Sequence, residues 1–346
     1  MIVYSFAFCL SVLITWIFSH SVQYKKNKYM VFMVLVSGMP LFLVAALRYG
    51  IGTDFMSYVS IYNNYSSQGV RGSYEVLFYL ISYGLGLINA DVQWLFVICA
   101  GIFVFCVFYV VFIDSNNPSY SIIILFGITY YFAMLNIMRQ LVACAILFVA
   151  LHFLSKKEYI KYFICVIIAS GFHYISLIFF ALIVFQKIKL SPRVVLFVTG
   201  ILMVLRPVIG KIVPLMFTDT KYAKYFDESY DTTSLAGILG ILVQIIILLF
   251  CSYTYSDNNK YKTYYLAQVL CTWSVIFNGV IPYASRIKYV FGLATIVLLP
   301  LAINNLRSKC SKGLFYYGIV VSYIVYAYII VYITGSYGVL PYQSVI

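Results

Sequence analysis

Long apolar stretches alternate with short polar ones along the chain, and most of them match the length of one membrane-spanning helix. A span needs roughly 20 mostly apolar residues, so 346 residues leave room for on the order of a dozen helices. The pattern predicts an all-α, polytopic integral membrane bundle of about 11–13 transmembrane helices, built as one domain over residues 1–346. The apolar runs lie at about 2–20, 29–47, 93–113, 119–136, 138–155, 160–172, 174–186, 194–215, 234–254, 262–281, 286–304 and 313–334.

Three segments depart from the simple pattern. The stretch 75–88 is short and interrupted by glycine, which predicts a re-entrant or peripheral helix. The runs 160–172 and 174–186 are too short for two full spans, so we expect either a hairpin of half-helices or one helix kinked near Gly171. The first run begins with MIVYSF and has no basic n-region before it, which indicates a retained helix rather than a signal peptide.

Composition supports a membrane protein and argues against a nucleic-acid partner. Hydrophobic residues make up 64% of the chain and charged residues 10%, whereas soluble domains carry about 25% charged residues. The net charge of +13 comes from basic residues in short loops, where it sets orientation in the membrane. The eight cysteines are dispersed without metal-ligand spacing, so we expect them to pack in the bundle, with no metal site and no cofactor.

The lysines predict the orientation of the chain. If KKNK at 25–28 is cytoplasmic, alternation places four further basic loops inside, and 14 of the 23 Lys and Arg residues become cytoplasmic. The polar segments at about 48–92 and 217–234, and both termini, are then external.

The arginines follow a different rule. Five of the seven lie outside the lysine-rich loops, at breaks in apolar segments. Guanidinium groups match phosphate oxygens two at a time, so several arginines at one face favour a substrate with a pyrophosphate. The alternative is that they anchor to lipid headgroups. The five are Arg48, Arg71, Arg139, Arg206 and Arg286.

The motif RYGIGTDF ends the second apolar run. We expect Arg48 to emerge at the external surface, with glycines that allow a tight turn before Asp54. Asp54 could bind a sugar hydroxyl or act as a catalytic base. It could equally pair with Arg48 or cap a following helix over 57–65.

The motif NIMRQ joins two apolar runs. Asn136 and Gln140 suit sugar hydroxyls, and Arg139 suits a phosphate close to a helix start. A plain polar loop would explain Asn136 but would leave Arg139 without an anionic neighbour in sequence.

Two further motifs complete the candidate site. His173, in ASGFHY at a break between half-helices, has the chemistry of a general base, although a lone histidine is more often structural. In YASRIKY, Arg286 lies near a helix N-terminus, where a cation opposes the helix dipole, and this small penalty suggests that a functional anion lies nearby. Arg206 precedes a helix-kinking proline and could reach the same cavity, and Tyr283 could stack on a sugar ring.

The ordered set RYGIGTDF, NIMRQ, FH and SRIKYVF resembles the EpsG-like family of bacterial polysaccharide polymerases of the Wzy, or O-antigen polymerase, type. The resemblance runs from about residue 40 to 300. It implies a fold similar to membrane glycosyltransferases that use polyprenyl-phosphate donors (GT-C-like). It also implies polymerisation of oligosaccharide repeat units, for O-antigen, capsule or exopolysaccharide, carried on undecaprenyl pyrophosphate at the outer face of the bacterial cytoplasmic (inner) membrane.

The expected reaction is an inverting, metal-independent glycosyl transfer. The catalytic base would be His173 or Asp54, and the pyrophosphate would be bound by Arg48, Arg139, Arg286 and Arg206. Expected partners are the lipid-linked donor and acceptor, membrane lipid, a chain-length regulator and a flippase. A lipid-linked oligosaccharide transporter and a membrane O-acyltransferase are the alternatives, but we see neither the internal repeat of a transporter nor a use for three arginine motifs in an acyltransferase.

Overall fold

The computed structural model describes residues 1–20, 27–68, 75–188, 190–216, 235–281 and 284–345. In these ranges the chain is helical, and pairing between extended segments is limited to two isolated bridges. The helices are α1 (Ile2–His20), α2 (Met30–Ala46), α3 (Phe55–Gln68), α4 (Val76–Leu87), α5 (Gln93–Asp114), α6 (Pro118–Gly127), α7 (Tyr130–Asn136), α8 (Met138–Ser155), α9 (Tyr159–Ser170), α10 (Ala181–Lys187), α11 (Pro192–Met216), α12 (Leu235–Tyr253), α13 (Asn259–Ile276), α14 (Ala284–Gly292), α15 (Ala294–Asn304) and α16 (Lys309–Ala327).

The helices confirm a polytopic all-α membrane protein. By length and composition five described helices can cross a membrane, and seven can if each of two bent pairs counts as one span. The bent pairs are α6 with α7, at 53°, and α14 with α15, at 47°. Five shorter apolar helices bring the total to twelve, so the predicted 11–13 spans require short helices to cross as well.

The core of the bundle lies around α5 and α8. Along α8 83% of the spanning window is buried, compared with 11% along α11. The exposed side chains of α11 are largely apolar, as at Phe197 and Val204, and this is the arrangement expected of a helix that faces lipid. Burial therefore separates central helices, which can carry a site, from peripheral ones.

The segment after α9 turns back on itself. Residues Tyr174–Phe180 form a 3-10 helix that leads into α10. The Tyr162 hydroxyl donates a hydrogen bond to the Phe179 carbonyl, and the rings of Phe163 and Phe180 lie 5.4 Å apart. The predicted hairpin of half-helices is confirmed, and the alternative of one kinked helix is wrong. His173 lies at the tip of this hairpin in extended backbone.

The C-terminal segment packs on the RYGIGTDF motif. The amide of Tyr49 donates to the Gln343 carbonyl at 3.0 Å, and the amide of Gly52 donates to the Gly338 carbonyl at 3.0 Å. This segment therefore holds the turn that follows α2 in place.

Candidate active site

The RYGIGTDF and NIMRQ motifs are packed directly against each other. Gly52 has a φ of +96°, and a Cβ at this position would collide with the Leu135 carbonyl, so only glycine fits. The Asn136 Oδ1 atom accepts hydrogen bonds from the Asp54 amide at 2.9 Å and from the Thr53 hydroxyl at 2.7 Å. The two motifs thus form one rigid unit at the start of α8.

Arg48 lies inside this unit and not at a surface. Its residue is 1% exposed, and its guanidinium donates to the Leu135 carbonyl and lies over the Phe96 ring, 4.9 Å from the ring centre. The expectation that Arg48 emerges externally is wrong, because its side chain turns inward to satisfy a carbonyl near the end of α7. It makes no ion pair with Asp54 among the described residues.

The start of α4 is fixed by the hairpin that follows α9. The first free amides of α4 have no partner inside their own helix. Here the amides of Leu77 and Phe78 donate to the Gly171 carbonyl, at 2.8 and 3.3 Å. Glu75 lies two residues before Leu77, and His173 lies two residues after Gly171. This contact therefore brings the side chains of Glu75 and His173 together.

Glu75, Arg139 and His173 form a hydrogen-bonded group that we call the Glu75 cluster. Arg139 Nη1 lies 2.7 Å from Glu75 Oε2, and His173 Nδ1 lies 2.7 Å from Glu75 Oε1. The side chain of Glu75 is 6% exposed, while Arg139 and His173 are 20% and 17% exposed. The carboxylate is therefore covered by its two partners, and the partners remain within reach of a ligand.

The charge of Glu75 is set by its surroundings. Burial raises the pKa of the carboxyl, but the hydrogen bond from His173 and the charge of Arg139 outweigh that effect, and the pKa lies below its ordinary value. Glu75 is therefore an anion at neutral pH. The start of α4 favours the same charge through the helix dipole.

Tyr58 and Asp54 flank the Glu75 cluster. The Arg139 amide donates to the Tyr58 hydroxyl at 3.4 Å. The pKa of Tyr58 lies above its ordinary value. Burial raises it and the Asp54 carboxylate adds to this increase, and together they outweigh the nearby Arg139, which lowers it. Asp54 is half-buried immediately before α3, which begins at Phe55 and not at residue 57. Its carboxylate has no hydrogen bond or ion pair within the described part of the chain.

Gln140 links the Glu75 cluster to α14. Its amide nitrogen donates to the Arg286 carbonyl at 2.6 Å, and the residue is buried. Arg286 itself is exposed in the first turn of α14. Asn136 and Gln140 both use their amides in contacts within the protein, so positioning is the role that the structure gives them, and sugar binding stays a prediction.

The remaining predicted site residues lie elsewhere. Arg206, on α11, donates to the Asn278 carbonyl at 3.4 Å and has no described contact with the Glu75 cluster. Tyr283, Arg71 and the segment 217–234 fall outside the described residues.

The sequence model of the EpsG family matches residues 31–344, and all four motifs lie inside that match. The chain belongs to the EpsG family. Membership indicates a polysaccharide-polymerase type of glycosyltransferase in a multi-pass membrane protein. No curated protein and no solved structure matches the chain.

In this member of the EpsG family the residue that sequence reasoning missed is Glu75. It stands in the external segment that the charges predict, immediately before an apolar helix. Arg139 has no anionic neighbour in sequence, which is a sign that its partner comes from a distant part of the chain. A search for an acidic residue on the same face would have found Glu75 as one candidate, together with Asp54 and Asp91.

Proposed function

We propose that the chain polymerises lipid-linked oligosaccharide repeat units at the external face of the bacterial cytoplasmic membrane. The donor would be a glycan on undecaprenyl pyrophosphate, and the acceptor a hydroxyl of a second lipid-linked unit. The observation that carries the proposal is the Glu75 cluster, in which one carboxylate holds a base and a cation together, 2.7 Å from each. Family membership supports the reaction class.

His173 is the base in this proposal. If its Nδ1–H donates to Glu75, its Nε2 atom is the acceptor and can take the proton of the incoming hydroxyl. The hydroxyl oxygen forms a bond to the anomeric carbon while the bond from that carbon to the pyrophosphate oxygen breaks. The electron pair leaves with the pyrophosphate, and the anomeric centre inverts. Glu75 orients the imidazole and stabilises the imidazolium that forms, as carboxylates do beside catalytic histidines.

Arg139 and Arg286 stabilise the leaving group in this proposal. Negative charge develops on the departing pyrophosphate, and fixed cations at that point lower the barrier without needing to reorganise. Arg139 is held in place by Glu75 and lies over the Phe78 ring, 5.5 Å from its centre. Arg286 projects from the first turn of α14, whose backbone is tied to Gln140. The two guanidinium groups would supply the positive charge that some other glycosyltransferases obtain from a bound metal ion.

Asp54 is the second candidate for the base. Its carboxylate is half-buried near Tyr58, on the side of the Glu75 cluster formed by RYGIGTDF. If Asp54 is the base, His173 binds substrate and Asp54→Asn removes the reaction. If His173 is the base, Asp54→Asn retains most of it.

The test is complementation of a deletion of this gene in its host, with gel display of the surface glycan. We expect His173→Ala and Arg139→Ala each to lower polymerisation by about 10²–10³-fold or more, leaving single repeat units on the carrier or core. Arg307→Ala is the matched control, since Arg307 is exposed in a loop predicted to be cytoplasmic. Full-length polymer with Arg139→Ala at normal protein levels would refute the proposal.

The same display separates a polymerase from a transporter. A polymerase defect leaves single repeat units on the outer surface, because translocation is intact. A transporter defect leaves no surface repeats, and lipid-linked units accumulate inside the cell.

A further inference from the structure

The start of α8 takes its helix cap from a distant part of the chain. The first amides of a helix have no partner inside that helix, and a polar side chain just before it often accepts from one of them. Here the preceding residue is Ile137, whose side chain makes no such bond. The amide of Arg139, the second residue of α8, donates instead to the hydroxyl of Tyr58 on α3, at 3.4 Å. Tyr58 therefore supplies the cap that the NIMRQ motif lacks.

The ion pair with Glu75 does not by itself fix the plane of the Arg139 guanidinium. It joins one nitrogen, Nη1, to one carboxylate oxygen, Oε2, at 2.7 Å. A guanidinium is oriented best when it meets both oxygens of a carboxylate in two parallel bonds. The second oxygen of Glu75 lies 2.7 Å from His173 Nδ1 and is taken by that contact. Since a group can rotate about a single bond, a further contact is needed to set the direction of the guanidinium.

Tyr58 is placed to make this further contact. The Arg139 side chain is within hydrogen-bonding reach of the same Tyr58 oxygen that accepts from the Arg139 amide. Tyr58 is 5% exposed, and its ring lies 6.0 Å from the ring of Phe78. The guanidinium lies over that Phe78 ring, 5.5 Å from its centre. Tyr58, Phe78 and Glu75 thus contact Arg139 from three directions.

The charge of each partner decides what it does to Arg139. Burial raises the pKa of Tyr58, so its hydroxyl stays neutral at physiological pH. A neutral hydroxyl orients a cation without cancelling its charge, whereas a second carboxylate at this position would cancel the charge that an anionic substrate needs. Tyr58 therefore adds order at little cost to the positive potential of the site.

We propose that Tyr58 is a positioning residue, whose hydroxyl fixes the direction of the Arg139 guanidinium before substrate binds. It acts on the reaction only through Arg139. The expected effect on polymerisation rests on the proposed function, in which Arg139 stabilises the leaving group.

Tyr62 is the matched comparison on the same helix. It lies one turn after Tyr58 on α3 and is equally buried, at 4% exposed. Its hydroxyl donates to the Ala90 carbonyl at 2.5 Å, between α4 and α5, and has no described contact with the Glu75 cluster. Removing this hydroxyl takes away one buried hydrogen bond of the same helix but leaves Arg139 untouched.

The experiment is nuclear magnetic resonance of the full-length chain in detergent, labelled with [15N]arginine. The chain has seven arginines, so the Arg139 signals are assigned by their loss in Arg139→Lys. A guanidinium held in a fixed direction rotates slowly and gives separate signals for its two Nη atoms, whereas a free one gives averaged signals. We expect separate signals for Arg139 and averaged signals for Arg307, which is exposed in a loop.

Tyr58→Phe keeps the ring and removes the hydroxyl. We expect it to average the Arg139 signals and to lower polymer in the complementation assay by about 10–10²-fold, since a misdirected group loses much of its effect on the barrier. Tyr62→Phe should leave both the Arg139 signals and the polymer made per folded chain unchanged. Melting temperatures of the two variants show whether a loss of polymer reflects a loss of fold.

Two results would overturn the proposal: averaged Arg139 signals in the wild type, which needs no variant to fold, or separate signals that persist in Tyr58→Phe. The spectra also distinguish this proposal from the proposed function. Averaged signals with normal polymer in Tyr58→Phe would leave the positioning role intact and refute the role of Arg139 in polymerisation. Separate signals with lost polymer would refute the positioning role alone.

Discussion

One carboxylate does two tasks at the candidate active site. Glu75 neutralises Arg139 through one oxygen and orients His173 through the other. Without Glu75, the side chains of Arg139 and His173 could each adopt several rotamers. With Glu75 ionised, both are held at fixed distances before substrate arrives, which is what electrostatic preorganisation requires.

Replacing Glu75 with glutamine tests this role through stability and pH. Because the pKa of Glu75 is lower in the folded state than its ordinary value of 4.5, its contribution is present above about pH 4.5 and is lost as the pH falls through the folded pKa. We expect Glu75→Gln to be less stable by about 1.5–3 kcal/mol at pH 7. The difference should shrink below pH 4.5. The measurement is the melting temperature of both proteins in detergent between pH 3.5 and 7.

Glu158→Gln is the control for that substitution. Glu158 pairs with Lys161 at 2.5 Å, but the pair is exposed, so it should contribute little at any pH. A difference between wild type and Glu75→Gln that stays constant down to pH 3.5 would show that the charge of Glu75 is not what stabilises the cluster.

The site residues show what a single sequence can and cannot predict. His173 and Arg139 are predicted from their rarity and from their places at breaks between apolar runs, and the structure brings them to one carboxylate. Glu75 lies 64 residues from Arg139 and 98 from His173, so its partners depend on how α4 docks on the hairpin. The predicted position of Arg48 is wrong because the motif RYGIGTDF predicts a turn but does not predict the direction in which the Arg48 side chain points.

At the scale of elements, helix ends are predicted well where polar residues lie at both ends of an apolar run. The runs at 2–20 and 138–155 coincide with α1 and α8. Two of the predicted runs, 119–136 and 286–304, each consist of two helices joined at a bend. The bends are not predicted because a continuous apolar sequence does not indicate where a helix changes direction. At the first of these bends Thr129 adopts a left-handed backbone conformation, with a φ of +63°. The residues next to Thr129 in the sequence do not predict this conformation.

A buried charged group ties three helices together at the opposite end of the bundle. Asp114, the last residue of α5, accepts hydrogen bonds from His152 Nδ1 at 2.8 Å and from the Tyr264 hydroxyl at 2.6 Å. Lys260 Nζ lies 3.4 Å from its other oxygen. These partners come from α8 and α13, and the Asp114 side chain is fully buried. The group fixes the packing of α5, α8 and α13 and uses none of the candidate catalytic residues.

We therefore expect Asp114→Asn to act on stability and not on chemistry. Removing one charge of a buried group leaves its partners uncompensated, at a cost of about 3–5 kcal/mol. The variant should melt at a lower temperature in detergent, and the molecules that remain folded should still polymerise. Asp257→Asn, at an exposed loop position, is the matched control and should melt as the wild type does. An Asp114→Asn protein as stable as the wild type would contradict this assignment.

At the scale of the whole molecule, the described contacts place the candidate site and the C-terminal segment at one end of the bundle. RYGIGTDF contacts both NIMRQ and residues 338–345, and the Glu75 cluster lies beside NIMRQ. The Asp114 group lies one helix length away, at the far ends of α5 and α8. If the lysine-rich loops are cytoplasmic, the Glu75 cluster faces outward, which is the side of the membrane on which the proposed polymerisation would take place.

Cysteine labelling tests this orientation with a residue that the chain already has. Cys310 is exposed at the start of α16, beside a loop predicted to be cytoplasmic, whereas Cys99, Cys144, Cys251 and Cys271 are buried. Cys9 is exposed and Cys106 and Cys165 are half-buried, but all three lie inside apolar helices, where a water-soluble reagent does not reach them. A membrane-impermeant maleimide should therefore leave the wild type unlabelled in intact cells and label Cys310 after permeabilisation. Ser60→Cys, at an exposed position of α3, should be labelled in intact cells because α3 belongs to the predicted external segment. Labelling of Cys310 from outside would invert the topology, and with it the face on which the Glu75 cluster meets its substrate.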